Sequence, residues 1–155
     1  MKNELNFERT NAKDENFVSL VQELDTYLSG VNGSEDEFFR QLNTIEALPY
    51  VIVGYIGAIP VGCGAFKIVE DKTVEVKRMY VKPTCRGKHI ATRILNELEE
   101  WARQEQFDTI ILETSKTMEP AVNLYQRNGY VIIPNYEPYK EVSSSICFTK
   151  QLSSM

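Results

Sequence analysis

Arg86, Gly87, Lys88 and His89 set two fixed positive charges, a glycine and the chain's single histidine on four consecutive residues. They stand where a β-rich run, Thr73 to Val81, gives way to an amphipathic helix that starts near Ile90. The first turn of a helix presents unpaired backbone N–H groups at the positive end of the macrodipole, and phosphate binds there readily. Arg86 and Lys88 add charge at the same place, and Gly87 lets backbone approach a ligand with no Cβ in the way. The stretch is therefore a candidate pyrophosphate site. Its spacing is neither the GxxxxGK(S/T) of a P-loop nor GxGxxG. Taken alone, it equally fits a basic loop that merely starts a helix.

The other residues that could do chemistry exclude more than they suggest. Cys63, Cys85 and Cys147 are odd in number and far apart. With no CxxC pair and one histidine they make neither a disulfide framework nor a zinc site, and no metal is expected. They read as free thiols in a reducing cytosol. A net charge of -5, from 17 basic and 22 acidic residues, argues against a nucleic-acid partner, because such binding comes mainly from neutralised phosphates. MKNELNFERTNAKDENF has no apolar run, so neither a signal peptide nor a membrane span is expected and the location reads as cytoplasmic. With 155 residues, 43% hydrophobic and 25% charged, residues 1–155 are most simply one domain able to bury its own core.

The elements that must position the basic junction follow from periodicity. A short strand lies near Leu5 to Glu8. Phe17, Leu20, Val21, Leu24, Tyr27 and Leu28 form one helical stripe, which Gly30 and Gly33 break. Ser34-Glu35-Asp36-Glu37 has the form of a capping box and opens a second helix bearing Phe38, Phe39, Leu42 and Ile45. Tyr50 to Ile56 and Val61 to Val69 make a hairpin around Gly57–Pro60, and Thr73 to Val81 follows the turn at Asp71-Lys72. Ile90, Ile94, Leu95, Leu98, Trp101 and Ala102 mark a long helix. Glu97, Glu99 and Glu100 read as its solvated face. Thr109 to Glu113 is a short buried strand, Thr117 caps a further helix with Pro120 in its first turn, and Asn128-Gly129 ends it. Tyr130 to Ile133 and Ser145 to Leu152 complete the strands. The order is β-α-α-β-β-β-α-β-α-β-β, which reads as an α/β fold with a mixed sheet flanked by helices.

Side-chain parity inside the third long strand carries a further signal. Val74 and Val76 occupy even positions, Met79 and Val81 odd ones. Strict alternation cannot accommodate that switch of face, whereas one inserted residue can, so a β-bulge is expected around Lys77 to Tyr80.

With these residues in view, Arg86-Gly87-Lys88-His89-Ile90-Ala91 resembles the acyl-CoA-binding signature of the GNAT acetyltransferase superfamily. That signature is Gln or Arg, two variable residues, Gly, one variable residue, then Gly or Ala. VEVKRMYVKPTCRGKHIATRILNELEEWA is similar to the family's central strand, pyrophosphate loop and helix, and EPAVNLYQRNGY to its last-helix motif. The likeness covers residues 50 to 152, while the first fifty fit by helix order alone. There is one departure, since His89 stands where the family usually carries glycine. Its side chain must then point away from the phosphates, or its imidazole touches one.

The resemblance implies a GNAT-like fold, a mostly antiparallel sheet with one splayed parallel strand pair, here Thr73–Val81 and Thr109–Glu113. Acetyl-CoA, as co-substrate, would lie in that gap. Arg86, Gly87, Lys88, His89, Ile90 and Ala91 would cradle the pyrophosphate. Met79, Tyr80 and Val81 would meet the acetyl-pantetheine end, with a bulge N–H on the acetyl carbonyl. Glu75 corresponds to the general base of some members, the residue that accepts the acceptor's ammonium proton. The alternative is a solvated strand glutamate beside Lys77. Tyr125 corresponds to the tyrosine that protonates the departing thiolate or hydrogen-bonds its sulfur, the alternative being a core aromatic. Asn123 would contact the pantetheine arm. Tyr136 and Tyr139 would line the acceptor pocket or simply cover the core.

The function so implied is an acetyl-CoA-dependent N-acetyltransferase acting by direct attack of a bound amine, on a small molecule or peptide, as a monomer or homodimer. A non-catalytic acyl-CoA-sensing module of the same fold is the alternative. It would need the cradle but neither Glu75 nor Tyr125.

Overall fold

Valine, isoleucine and aromatic residues crowd the runs between the turns at Gly57 and Asp71, and there the chain pairs with itself. A computed structural model describes residues 4–33 and 47–152. The capping box at Ser34–Glu37 and the helix expected after it lie outside those residues. Strands β1 (Leu5–Thr10), β2 (Tyr50–Ile56), β3 (Ile59–Glu70) and β4 (Thr73–Val81) are successively antiparallel. Beyond them lie β5 (Thr109–Ser115), β6 (Val131–Ile133) and β7 (Ser145–Gln151). Among the described residues they form one sheet in the order β1-β2-β3-β4-β5-β7-β6. The β4–β5 pair is its one parallel pair.

Helix α1 (Glu15–Asn32) opens on Asp14, whose carboxylate accepts from the N–H groups of Asn16 and Phe17 at 2.9 and 3.0 Å. It passes through Gly30 and stops at Gly33, where φ is +56. One glycine inside a helix costs only about 1 kcal/mol, less than the burial of Phe17, Leu20 and Leu24 recovers. Helix α2 (Ile90–Gln104) and helix α3 (Glu119–Arg127) lie in the stretches the sequence assigns to them. Thr117 does not cap α3. Its hydroxyl is 2.8 Å from that of Ser115 at the end of β5, and Met118 takes the cap position without a side-chain bond.

Two cores follow from the two faces of the sheet. Under α2 and α3 lie Ile52, Phe66, Val74, Val76, Ile94, Leu98, Ile110 and Phe148. Under α1 lie Leu20, Leu24, Val51, Val53, Cys63 and Tyr80. Glu99 is not solvated. It is 5% exposed, accepts from the Tyr130 hydroxyl at 2.8 Å and from Lys150 Nζ at 3.0 Å, and so ties α2 to β7 and to the residue before β6. Position 99 falls on the flank of the α2 stripe, where a charge is retained when partners reach it.

Candidate active site

β4 is where the sheet opens. It pairs with β5 only through Thr73–Thr109, Val74–Ile110 and Glu75–Ile111. Beyond Glu75, β4 continues to Val81 and β5 to Ser115, with no pairing between them. The parted strands leave a cleft of about 490 Å³.

The bulge lies on β4 inside this cleft. Cys63 faces Tyr80 and Ala65 faces Lys77, so Arg78 and Met79 together stand opposite Gly64 alone. Val74 and Val76 before the bulge, and Met79 and Val81 after it, all join the α2 core, while Tyr80 joins the α1 core. This is the change of parity visible in the sequence. Arg78 takes the left-handed conformation at φ +62, and its guanidinium meets Asp25 of α1 at 2.6 Å.

The basic junction forms the mouth of the cleft. A turn of 3₁₀ helix at Pro83–Cys85 leads into Arg86, and α2 begins at Ile90. His89 is the N-cap, with φ 62 and ψ 21 and no side-chain bond to the first turn. The left-handed backbone explains why glycine suits this position, and histidine is among the side chains that tolerate it. With no side chain capping them, the first N–H groups of α2 remain available to an anion. Gly87 has φ +84, and a Cβ built there would meet nothing within 4 Å, so the backbone lies open to a ligand. These features fit a pyrophosphate.

Arg86 is placed differently from a simple phosphate ligand. Its Nε donates to the carbonyl of Val81 at 3.0 Å, and its guanidinium lies over the rings of Tyr27 and Tyr80 at 5.8 and 6.0 Å. It therefore joins the junction to α1, whose Tyr27 is 44% exposed at the cleft.

Deeper in, Glu75 is 5% exposed, far from the solvated strand residue considered above. The Tyr136 hydroxyl donates to its Oε2 at 2.8 Å, and Lys67 approaches its Oε1 at 4.0 Å. Burial, then the charge of Glu75, push the Tyr136 hydroxyl above its ordinary range, so it remains a donor. The loop bearing Tyr136 is shaped by Asn135, whose side-chain amide donates to the carbonyls of Tyr139, Val142 and Ser145. Tyr139 lines the cleft and packs edge-on against Tyr136 at 5.7 Å. Tyr125 reaches the cleft from α3 and is 6% exposed. Its ring packs on Tyr130 and Phe148, and its hydroxyl has no hydrogen-bond partner among the described residues. Burial, then the charge of Glu113, push that hydroxyl upwards as well.

Glu75, Met79, Tyr80, Val81, Arg86, Gly87, His89, Ile90, Ala91 and Tyr125 thus all line one cleft. Lys88 and Asn123 do not. Both are exposed, Asn123 on the side of α3 turned from the gap. Sequence reasoning passed over Glu113, the second carboxylate of the cleft, which accepts from the Ser145 hydroxyl. Alternation along β5 was the available signal, since Ile110 and Leu112 are buried in the α2 core and Glu113 falls on the other face.

Known proteins agree with this geometry. Residues 17–130 match the acetyltransferase (GNAT) family. An IAA acetyltransferase of Azospirillum brasilense is 33% identical over 138 residues, covering 87% of this chain and 90% of its own. The uncharacterized N-acetyltransferase YsnE of Bacillus subtilis is 30% identical over 59% of this chain and 62% of its own. A crystal structure from Klebsiella pneumoniae, described provisionally as an acyl-CoA N-acyltransferase, superposes with a TM-score of 0.80 at 27% identity, covering 96% of this chain and 98% of that one. A GNAT acetyltransferase of Elizabethkingia anophelis with acetyl-CoA bound shares the fold at a TM-score of 0.70 and 14% identity, over 98% of this chain and 100% of that one. A family match across most of the chain, joined to a relative one-third identical over nearly its whole length, makes this chain a member of the GNAT acetyltransferase family and an acetyl-CoA-dependent acyltransferase.

Proposed function

We propose that the protein transfers the acetyl group of acetyl-CoA to a primary amine of a small molecule or peptide, by direct attack while both are bound. The observation that carries this reading is the buried carboxylate of Glu75 at the fork of β4 and β5, in one cleft with the Tyr125 hydroxyl. Acetyl-CoA supplies the activated thioester. The open backbone at Gly87 and His89 and the free N–H groups at the start of α2 hold its pyrophosphate, with Lys88 adding to the field from the exposed side. The backbone of Met79, Tyr80 and Val81 orients the acyl end, and the Met79 N–H donates to the acetyl carbonyl, where negative charge develops.

Glu75 takes the proton that an ammonium must lose before its nitrogen can bond to the carbonyl carbon. Tyr125 faces the sulfur as the C–S bond breaks. A tyrosine pushed above its usual range is a weaker acid than a thiol near 8.5. Its part is therefore a hydrogen bond to the thiolate rather than full proton transfer, and the second proton that the nitrogen sheds on forming the amide goes to the sulfur, so that CoA leaves as the thiol. Free thiols at Cys63, Cys85 and Cys147 support a reducing, cytoplasmic location.

A thermal melt with and without acetyl-CoA tests the first half of this reading. Ligand at about a hundred times its dissociation constant adds roughly 2.7 kcal/mol, which is a shift of several degrees. Thiol release with a panel of amines tests the second half. IAA is tested beside the amines as a separate acceptor, because the Azospirillum brasilense relative is called an IAA acetyltransferase and Leu24, Tyr27, Leu28 and Tyr139 supply an apolar, aromatic wall. No shift with acetyl-CoA, or no thiol release with any acceptor, would sink the proposal.

A further inference from the structure

The peptide group between Arg78 and Met79 is held from one side. Its carbonyl oxygen accepts a hydrogen bond from the thiol of Cys63 at 3.4 Å. Cys63 lies fully buried on β3, and burial pushes its thiol up to about 12, so it keeps the proton that it donates. Arg78 stands in the left-handed region, which a residue with a side chain holds only when its surroundings impose it. The ion pair with Asp25 at 2.6 Å grips the same residue from α1. Across the bulge, a Cβ on Gly64 would come within 2.6 Å of Met79 Sδ, so a side chain there would displace the Met79 thioether.

A trans peptide is planar, with its C=O and N–H pointing in opposite directions. An oxygen drawn towards β3 by Cys63 therefore turns the Met79 N–H away from β3, into the gap on the β5 side. We infer that Cys63, together with Asp25 acting through Arg78, is a positioning residue that sets the direction of the Met79 N–H towards the acetyl carbonyl. The inference rests on the reading above, in which acetyl-CoA occupies the fork of β4 and β5. Neither side chain needs to touch the co-substrate, because each acts through the bulge.

The test uses acetyl-CoA labelled with ¹³C at the acetyl carbonyl, and the wild type beside Cys63→Ala, Cys63→Ser and Asp25→Asn. Isotope-edited infrared spectroscopy reads the thioester carbonyl stretch, which a directed N–H lowers in frequency. The wild type should lower it relative to free acetyl-CoA. Cys63→Ala and Asp25→Asn should return it most of the way, and Cys63→Ser, which keeps a donor, should restore it. Acetyl-CoA affinity should fall by up to about tenfold in the alanine variant, the worth of one misdirected hydrogen bond. CoA, which has no acetyl group, should bind as before. Cys63→Val fills the same space without a donor and stands in should the alanine variant unfold. A shifted band that Cys63→Ala leaves in place, or equal losses for CoA and acetyl-CoA, would overturn the inference and spare the enzymatic reading. Failure of the wild type to bind acetyl-CoA would overturn both.

Discussion

The Tyr136 hydroxyl bonds to Glu75 Oε2 at 2.8 Å, fastening the loop after β6 to the last residue of β4 that pairs with β5. Glu75→Gln keeps an acceptor for Tyr136, so the fold and acetyl-CoA binding should persist while kcat falls by about 10²–10⁴-fold at neutral pH. The loss should shrink as pH rises and the amine sheds its own proton. Thiol release across pH 6–10 on the order of a unit per step reads this, and a kcat close to wild type at pH 7 would remove Glu75 from the role of base.

Tyr125 should separate activity from stability. Its hydroxyl has no partner among the described residues, so Tyr125→Phe should leave the melting temperature within about a degree. Turnover should fall by about 10–10²-fold if the hydroxyl meets the departing sulfur. A variant that melts early but turns over normally would make Tyr125 a core aromatic only.

His89 carries backbone strain at the cap of α2. Left-handed backbone costs a residue with a side chain about 1–2 kcal/mol, and glycine gives back about 0.4–1 kcal/mol through the freer unfolded chain. His89→Gly should therefore raise stability by roughly 0.5–1 kcal/mol, with no loss of acetyl-CoA affinity. Urea unfolding and a binding isotherm check it. A clear loss of affinity would give the imidazole a phosphate to hold.

Glu99 is the structural counterpart of Glu75, a buried carboxylate outside the cleft. Glu99→Ala strands both Lys150 and the Tyr130 hydroxyl, at a cost of about 2–3 kcal/mol. Tyr130→Phe should cost less, since the carboxylate keeps Lys150. Chemical denaturation of the two variants should return that order.

Alkaline pH should unfold the protein through its tyrosines. Burial first, then neighbouring carboxylates, raise the Tyr125, Tyr130 and Tyr136 hydroxyls above the value of about 10 they have in the unfolded chain. The folded state therefore binds more protons at high pH, and stability falls as pH rises above about 10. The contribution is fully present below that pH. Urea midpoints should be level from about 8 to 9 and drop beyond 10, with a smaller drop in Tyr130→Phe.

Much of the site was legible because its signals are local. Val74, Val76, Met79 and Val81 disclose the bulge by parity alone, since a strand has no other way to turn four apolar side chains to one core. Arg86 to Ala91 disclose the helix start at the mouth of the cleft, because a basic turn with a glycine ends one element and opens the next. Glu99 was misread because its charge has meaning only beside Tyr130 and Lys150, which are 31 and 51 residues away in the chain. Glu113 was passed over because a carboxylate at a strand end looks solvated until the neighbouring strand parts from it.

The sequence by itself determined the order of strands and helices among the described residues, the bulge and the basic helix start, all set by spacing within a few residues, and its motifs carry the family resemblance. Tertiary structure decided what spacing cannot carry. It turned Arg86 onto Tyr27, paired Glu75 with Tyr136 and Lys67, left Lys88 and Asn123 outside the cleft, and set the Cys63 thiol on the Arg78 carbonyl. These depend on which distant side chains meet once two cores close over the two faces of a sheet. A chemical partner across space leaves no periodic trace in the chain.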